Sequence, residues 1–104
     1  GLKAKSANPI ELLPRFGSKL GLDQPTIGLA AEIITKLEGK SVIAGKHPGS
    51  IVASALYLAA KQKGKRITQR EVANAVGVIE VTIRRRSREM MKILPGKKQI
   101  RPDF

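Results

Sequence analysis

Cysteine is absent from the 104 residues. That excludes a disulfide framework and any cysteine-based zinc site. The single histidine, His47, is too little for most histidine-centred metal or triad chemistry. Tryptophan is also missing, and the aromatic residues are only Phe16, Tyr57 and Phe104. Three scattered rings make no stacking platform for single-stranded RNA. Acidic residues number 8. They form no paired carboxylates, and neither a nucleophile–base pair nor a phosphate-cradling glycine loop stands beside them. An enzyme is therefore not expected, and no cofactor or metal is implied. The longest nearly apolar run, Ile51–Ala60, contains Ser54 and falls far short of the roughly 20 residues that span a bilayer. Residues 1–7 are basic but no apolar stretch follows them, so neither a signal peptide nor a membrane partner is expected.

The apolar content of 41% suffices for one domain with a modest core. Against the 8 acids stand 20 lysines and arginines, a formal net charge of +12. A field of that sign points to a polyanionic partner. The charge is unevenly placed. Residues 1–60 hold 7 basic and 4 acidic side chains, whereas residues 61–104 hold 13 basic and 4 acidic.

The basic half contains the stretch that organises the rest, Thr68–Arg88, T-Q-R-E-V-A-N-A-V-G-V-I-E-V-T-I-R-R-R-S-R. Thr68 and Glu71 have the spacing of a capping box, in which hydroxyl and carboxylate satisfy each other's orphan backbone N–H groups. Val72, Ala73 and Val76 form an apolar face at helical spacing. Gly77 stands where the helix stops and the backbone turns left-handed. A second helix begins near Ile79 and runs past Arg88. Small Ala73 lets it cross close over the first, with Val78 and Ile83 filling the angle. This is the pattern of a helix-turn-helix.

The second helix is expected to have two faces. Ile79, Ile83, Met90 and Leu94 fall on the inner one. Val81, Arg84, Arg85 and Arg88 fall on the other, at i, i+3, i+4 and i+7. Arginine can fork two hydrogen bonds onto guanine or phosphate, and valine can meet a thymine methyl. The outer face therefore suits a DNA major groove. A solvated basic face on an ordinary helix is the alternative that an arginine run alone leaves open. Further candidate DNA contacts stand at or before the start of the first helix: Lys65, Arg66, Gln69 and Arg70. Lys65 and Arg66 end the basic loop Lys61–Arg66, a solvated loop by default and a phosphate contact by hypothesis.

Upstream, three more helices are expected. Asn8 caps the first, with Pro9 at its first position and Glu11 at its third. Ile10, Leu13, Phe16 and Leu20 supply its buried stripe, and Pro14 inside that stripe is expected to kink the helix or delay its start. Asp23 and Pro25 open the second, whose inner face is Ile27, Ala30, Ala31, Ile34 and Leu37. Residues 39–47 are a loop, and His47 is expected to be a poor cap. The third helix, Pro48–Lys63, is crowded with Gly49, Ser50, Ala53, Ser54, Ala55, Ala59 and Ala60. Small side chains let neighbours approach from several sides, so this helix is expected to be central. The expected organisation is a tail over residues 1–7, a domain over 8–94, and a loose basic tail over 95–104.

Gly45–Tyr57, G-K-H-P-G-S-I-V-A-S-A-L-Y, resembles the G-R-x-P-x-x-I-A-A-A-A-I-Y segment of the cyclin-like repeats in general transcription factor IIB. Arg66–Arg84, R-I-T-Q-R-E-V-A-N-A-V-G-V-I-E-V-T-I-R, closely resembles the second repeat of that factor, above all its archaeal form, transcription factor B. P-R-F-G-S-K-L-G-L at Pro14–Leu22 is similar to the first-helix pattern of the same repeat. The resemblance covers roughly Pro9 to Leu94.

The resemblance implies an all-α, five-helix cyclin-like box ending in a helix-turn-helix. It also implies promoter recognition in transcription initiation, beside TATA-binding protein and upstream of the TATA box. The partners implied are double-stranded promoter DNA, TATA-binding protein and, through the full-length factor, RNA polymerase. A monomer is implied, in the archaeal cytoplasm at the nucleoid or in a eukaryotic nucleus. The family's base contacts match Val81 and Arg84, and Thr82 becomes a backbone or base contact by the same matching. Whole factors also carry a zinc ribbon, a linker and a first repeat, so the chain looks like a C-terminal fragment. Three departures stand out. Ile79 replaces the family's small polar residue or alanine, which removes a helix cap. Ser87 replaces a common aromatic residue. Arg85 and Arg86 make the reading helix unusually cationic, as in a divergent copy. A stand-alone helix-turn-helix regulator and a protein-binding cyclin box remain the alternatives.

Overall fold

Proline or a polar cap starts four of the five helices in the computed structural model, which describes residues 8–94. The tails expected over 1–7 and 95–104 lie outside the described residues. In order come α1 (Pro9–Lys19), α2 (Gln24–Leu37), α3 (Pro48–Gln62), α4 (Gln69–Val76) and α5 (Glu80–Ile93). Among the described residues there is no strand. The all-α architecture expected from the sequence is therefore the one observed.

The caps explain the starts. Asn8 Oδ1 accepts the Ile10 amide at 2.9 Å, and Asp23 Oδ1 accepts the Thr26 amide at 3.2 Å. His47 overturns its expectation as a poor cap. Its Nδ1 accepts the Gly49 amide at 3.0 Å from an extended backbone. An imidazole nitrogen serves as acceptor because Gly49 leaves room for the ring. A Cβ there would lie 2.9 Å from His47 Cε1.

Pro14 also departs from expectation, because α1 runs through it without interruption. The amide that proline lacks would have bonded the Ile10 carbonyl. Pro14 lies on the exposed side, where water can take that place. The close approach of α1 to α2 depends instead on Gly17, where a Cβ would come within 2.6 Å of Ile27 Cδ1. In α2, Ile27, Ala30, Ile34 and Leu37 are buried as expected; Ile33 joins them, and Ala31 is only half-buried.

Helix α3 is the centre. Every residue from Ser50 to Ala60 is buried, and α3 packs against each of the other four helices. Its faces serve two cores. Ile51, Val52, Ala55, Leu56, Leu58 and Ala59 join Leu13, the inner face of α2, Val42 and Met90. Ala53, Tyr57 and Ala60 join Ile67, Val72, Ala73 and Ile83. At about 1.5–3 kcal/mol for each fully buried aliphatic side chain, the second core fixes α4 and α5 against α3.

Between α4 and α5 the chain turns as the sequence predicts. Thr68 Oγ1 accepts the Glu71 amide at 3.0 Å, and Glu71 Oε1 accepts the Thr68 amide at 2.9 Å. Gly77 adopts φ +88°, and the amides of Gly77 and Val78 both donate to the Ala73 carbonyl. The buried face of α5 is Ile83, Ser87 and Met90, with Leu94 half-buried. Ile79 is not on it. It is 69% exposed, because as the cap residue its backbone is extended (φ −87°, ψ 140°) and its side chain leaves the helical phase. As its residue type implies, it makes no side-chain cap bond.

Candidate nucleic-acid interface

The outer face of α5 is produced by the same burial that fixes its inner face. Ile83, Ser87 and Met90 form the buried face, so residues a third to a half turn away point outward. Val81, Arg84, Arg85 and Arg88 line one shallow depression of about 380 Å³, together with Glu89 and Lys92. Four of the sequence-predicted site residues thus share a surface. Val81 is 53% exposed, Arg85 and Arg88 are exposed, and Arg84 is half-buried. Thr82 is half-buried and does not line the depression.

The cationic run is less uniform than its sequence suggests. Arg86 is turned away from the depression. Its side chain is 11% exposed and its Nη1 donates to Glu89 Oε1 at 3.0 Å. It therefore adds little to the outward field, which corrects the expectation that Arg85 and Arg86 act together on the reading face. Its helical phase, two positions past Arg84, puts it toward the protein.

The remaining candidates fall elsewhere. Arg70 is exposed, and its Nε donates to Glu80 Oε2 at 3.1 Å, bridging α4 and the first residue of α5. Gln69 is half-buried at the start of α4. Lys65 and Arg66 border a recess of about 590 Å³ between the end of α1 and α4, with Lys19, Glu71 and Asn74. Lys65 is tied to Asp23, Nζ to Oδ2 at 3.0 Å. The Asp23 carboxyl is held at about 2, because it accepts from the Thr26 hydroxyl and from Lys65. The structure therefore gathers Val81, Arg84, Arg85 and Arg88, and places Lys65 and Arg66 at a different recess.

Two cations escaped the sequence reading. Lys92 lies four residues past Arg88 and continues the same stripe, so helical spacing alone could have found it. Lys19 reaches the recess from α1, its Nζ donating to the Ala75 carbonyl at 3.2 Å. A sequence separation of 56 leaves no local signal.

A buried central helix, four helices packed on it and a glycine-turned pair at the end define a cyclin-like helical domain. The chain belongs to the transcription factor TFIIB repeat family, whose model matches residues 2–93. It is 44% identical over 93 residues to transcription initiation factor IIB of Ignicoccus hospitalis, covering 89% of this chain and 29% of that protein. To the protein of the same name in Methanopyrus kandleri it is 44% identical over 93 residues, covering 89% and 30%. With that of Archaeoglobus fulgidus the figure is 44% over 94 residues, covering 90% and 29%. The chain thus spans about three tenths of the length of these relatives.

Proposed function

We propose that this chain is the second, C-terminal repeat of an archaeal-type initiation factor IIB, and that it recognises promoter DNA. Helix α5 lies in the major groove upstream of the TATA box, with TATA-binding protein beside it. Val81 and Arg84 contact base edges. Arg85 and Arg88 hold phosphate, Thr82 approaches the backbone or a base, and Gln69, Arg70, Lys65 and Arg66 meet flanking phosphates. The described residues 8–94 form the binding unit and act as a monomer at the archaeal nucleoid. RNA polymerase is engaged through the full-length factor.

The observation that carries this is the grouping of Val81, Arg84, Arg85 and Arg88 on one outward face of α5, behind a capped, glycine-turned helix pair. Recognition helices of this motif contact base edges from their N-terminal end, where Val81 and Arg84 stand. The three arginines match phosphate or guanine geometry. Archaeal relatives named transcription initiation factor IIB support the promoter context.

A chemical-shift titration with duplex promoter DNA, with and without TATA-binding protein, tests it. The amides of residues 79–88 are expected to move on promoter DNA, and affinity is expected to rise when TATA-binding protein is present. Log affinity should fall with log salt by about 0.9 per phosphate neutralised. Affinity that ignores salt, or shifts confined to residues outside α4 and α5, would point to a protein-binding cyclin box instead.

A further inference from the structure

We infer that Ile79 is a specificity residue that reads the C5-methyl group of thymine in the major groove. This rests on the proposed DNA-binding role of α5 and deepens it. Large exposed hydrophobics among the described residues are Ile79 at 69%, Val81 at 53% and Ile93 at 37%. The two most exposed lie within three residues at the start of the arginine-bearing helix.

The fold does not account for isoleucine at this position. Ile79 belongs to neither core. Its backbone is that of a helix cap, yet its side chain makes no cap bond. Serine, threonine, asparagine or aspartate would satisfy an orphan amide there, and isoleucine is among the poorest caps. A single exposed apolar side chain is ordinary on a protein surface. One that occupies a helix-cap position without a cap bond, two residues from a second exposed β-branched residue, is not.

The surroundings indicate the occupant. Arg70 at the start of α4 is 77% exposed, and Arg84 and Arg85 follow one turn into α5. Apolar contacts set among cations fit a duplex, whose outside is phosphate. The thymine methyl is the apolar group that a base pair displays in the major groove. An isoleucine at the tip of a helix entering that groove can bury against it, with more apolar surface than serine, asparagine or aspartate would offer.

The test uses deoxyuridine, which removes the methyl and leaves pairing and charge unchanged. A duplex is selected by the 104-residue chain from a randomised pool. Each thymine is then replaced singly, and binding is measured for the parent and for Ile79→Ser. The parent should lose about fourfold at one or more thymines, the value of one methyl taken out of apolar contact. Ile79→Ser should lose nothing at one of those positions and keep its sensitivity elsewhere. Its melting temperature should equal or exceed that of the parent, since serine restores the cap. Equal losses in both proteins at every thymine overturn the inference, as does a parent insensitive to every replacement. A lower-melting Ile79→Ser overturns it too, by showing that isoleucine serves the fold. Should the parent enrich no duplex at all, the DNA-binding role itself fails; enrichment without any uracil effect removes only the role of Ile79.

Discussion

Arg70 Nε donates to Glu80 Oε2 at 3.1 Å, so the first turn of α4 is tied to the first residue of α5 across the glycine turn. The pair is well exposed, at 77% and 37%, and such pairs contribute at most about 1 kcal/mol. Its larger consequence is electrostatic. Glu80 neutralises a cation beside the proposed DNA surface. Glu80→Gln should therefore strengthen duplex binding at low salt and steepen the salt slope by about 0.9, one additional phosphate contact. The same change removes an acid from the first turn of α5 and should lower stability by about 0.3–1 kcal/mol. Binding measured at two salt concentrations, with a thermal melt, checks both. An unchanged slope would place Arg70 away from phosphate.

Gly77 combines a positive φ of +88° with open space, since nothing lies within 4 Å of a Cβ built there. Backbone strain is thus the only obstacle to a side chain. Gly77→Val should cost about 1–3 kcal/mol. Gly77→Asn should cost much less, because asparagine visits the left-handed region more readily. Chemical denaturation of both variants distinguishes strain from crowding. Equal losses would mean that a clash, not φ, sets the penalty.

The helix pair was legible because its signals are local. The capping box Thr68–Glu71, the glycine at 77 and the period of Val72, Ala73 and Val76 each lie within one or two turns. The central place of α3 was legible because its side chains are small all round. Ile79 was misassigned because periodicity counts a residue as helical even where, as a cap, it has left the helix. The His47 cap was missed because it needs two facts at once, an acceptor nitrogen and a missing Cβ at Gly49. The recess formed by Lys19, Lys65 and Arg66 joins segments more than forty residues apart, and nothing along the chain announces it.

Ser87 is fully buried, and its hydroxyl has no hydrogen-bond partner among the described residues. Ser54 on α3 is in the same condition. A buried hydroxyl without a partner costs about 1–3 kcal/mol in lost hydration. Removing it keeps the volume within one oxygen and improves helix propensity. Ser87→Ala and Ser54→Ala should each raise the melting temperature. A fall in either would reveal a hydrogen bond that the hydroxyl makes through buried water.

Acid should unfold the domain partly through Asp23. Its carboxyl is held at about 2, below the ordinary 3.8, first by the Thr26 hydroxyl and then by Lys65. A carboxylate that ionises more readily in the folded state adds stability above its unfolded pKa. That contribution falls away as the pH drops from about 4 toward about 2. Asp23→Asn keeps a cap for α2 but does not titrate. Its melting temperature should therefore fall less than that of the parent between about pH 5 and about pH 2. Parallel acid curves would assign the loss to other carboxylates.

Arg84 and Arg88 line the same depression one helical turn apart, and that separation predicts different roles. Arg84 follows Val81 closely, near the N-terminal end of α5, where base edges are reached. Arg88 lies farther along, beside Glu89 and Lys92, where a helix that enters the groove by its N-terminal end should be leaving the groove floor. Arg84→Ala should lose about 1–3 kcal/mol on the preferred duplex and much less on scrambled DNA. Arg88→Ala should weaken both duplexes alike and reduce the salt slope by about one unit. Both variants are measured on both DNAs at two salt concentrations, with TATA-binding protein present. Should the two substitutions lose equal affinity on both sequences, the outer face of α5 is an electrostatic patch, and Arg84 does not read a base.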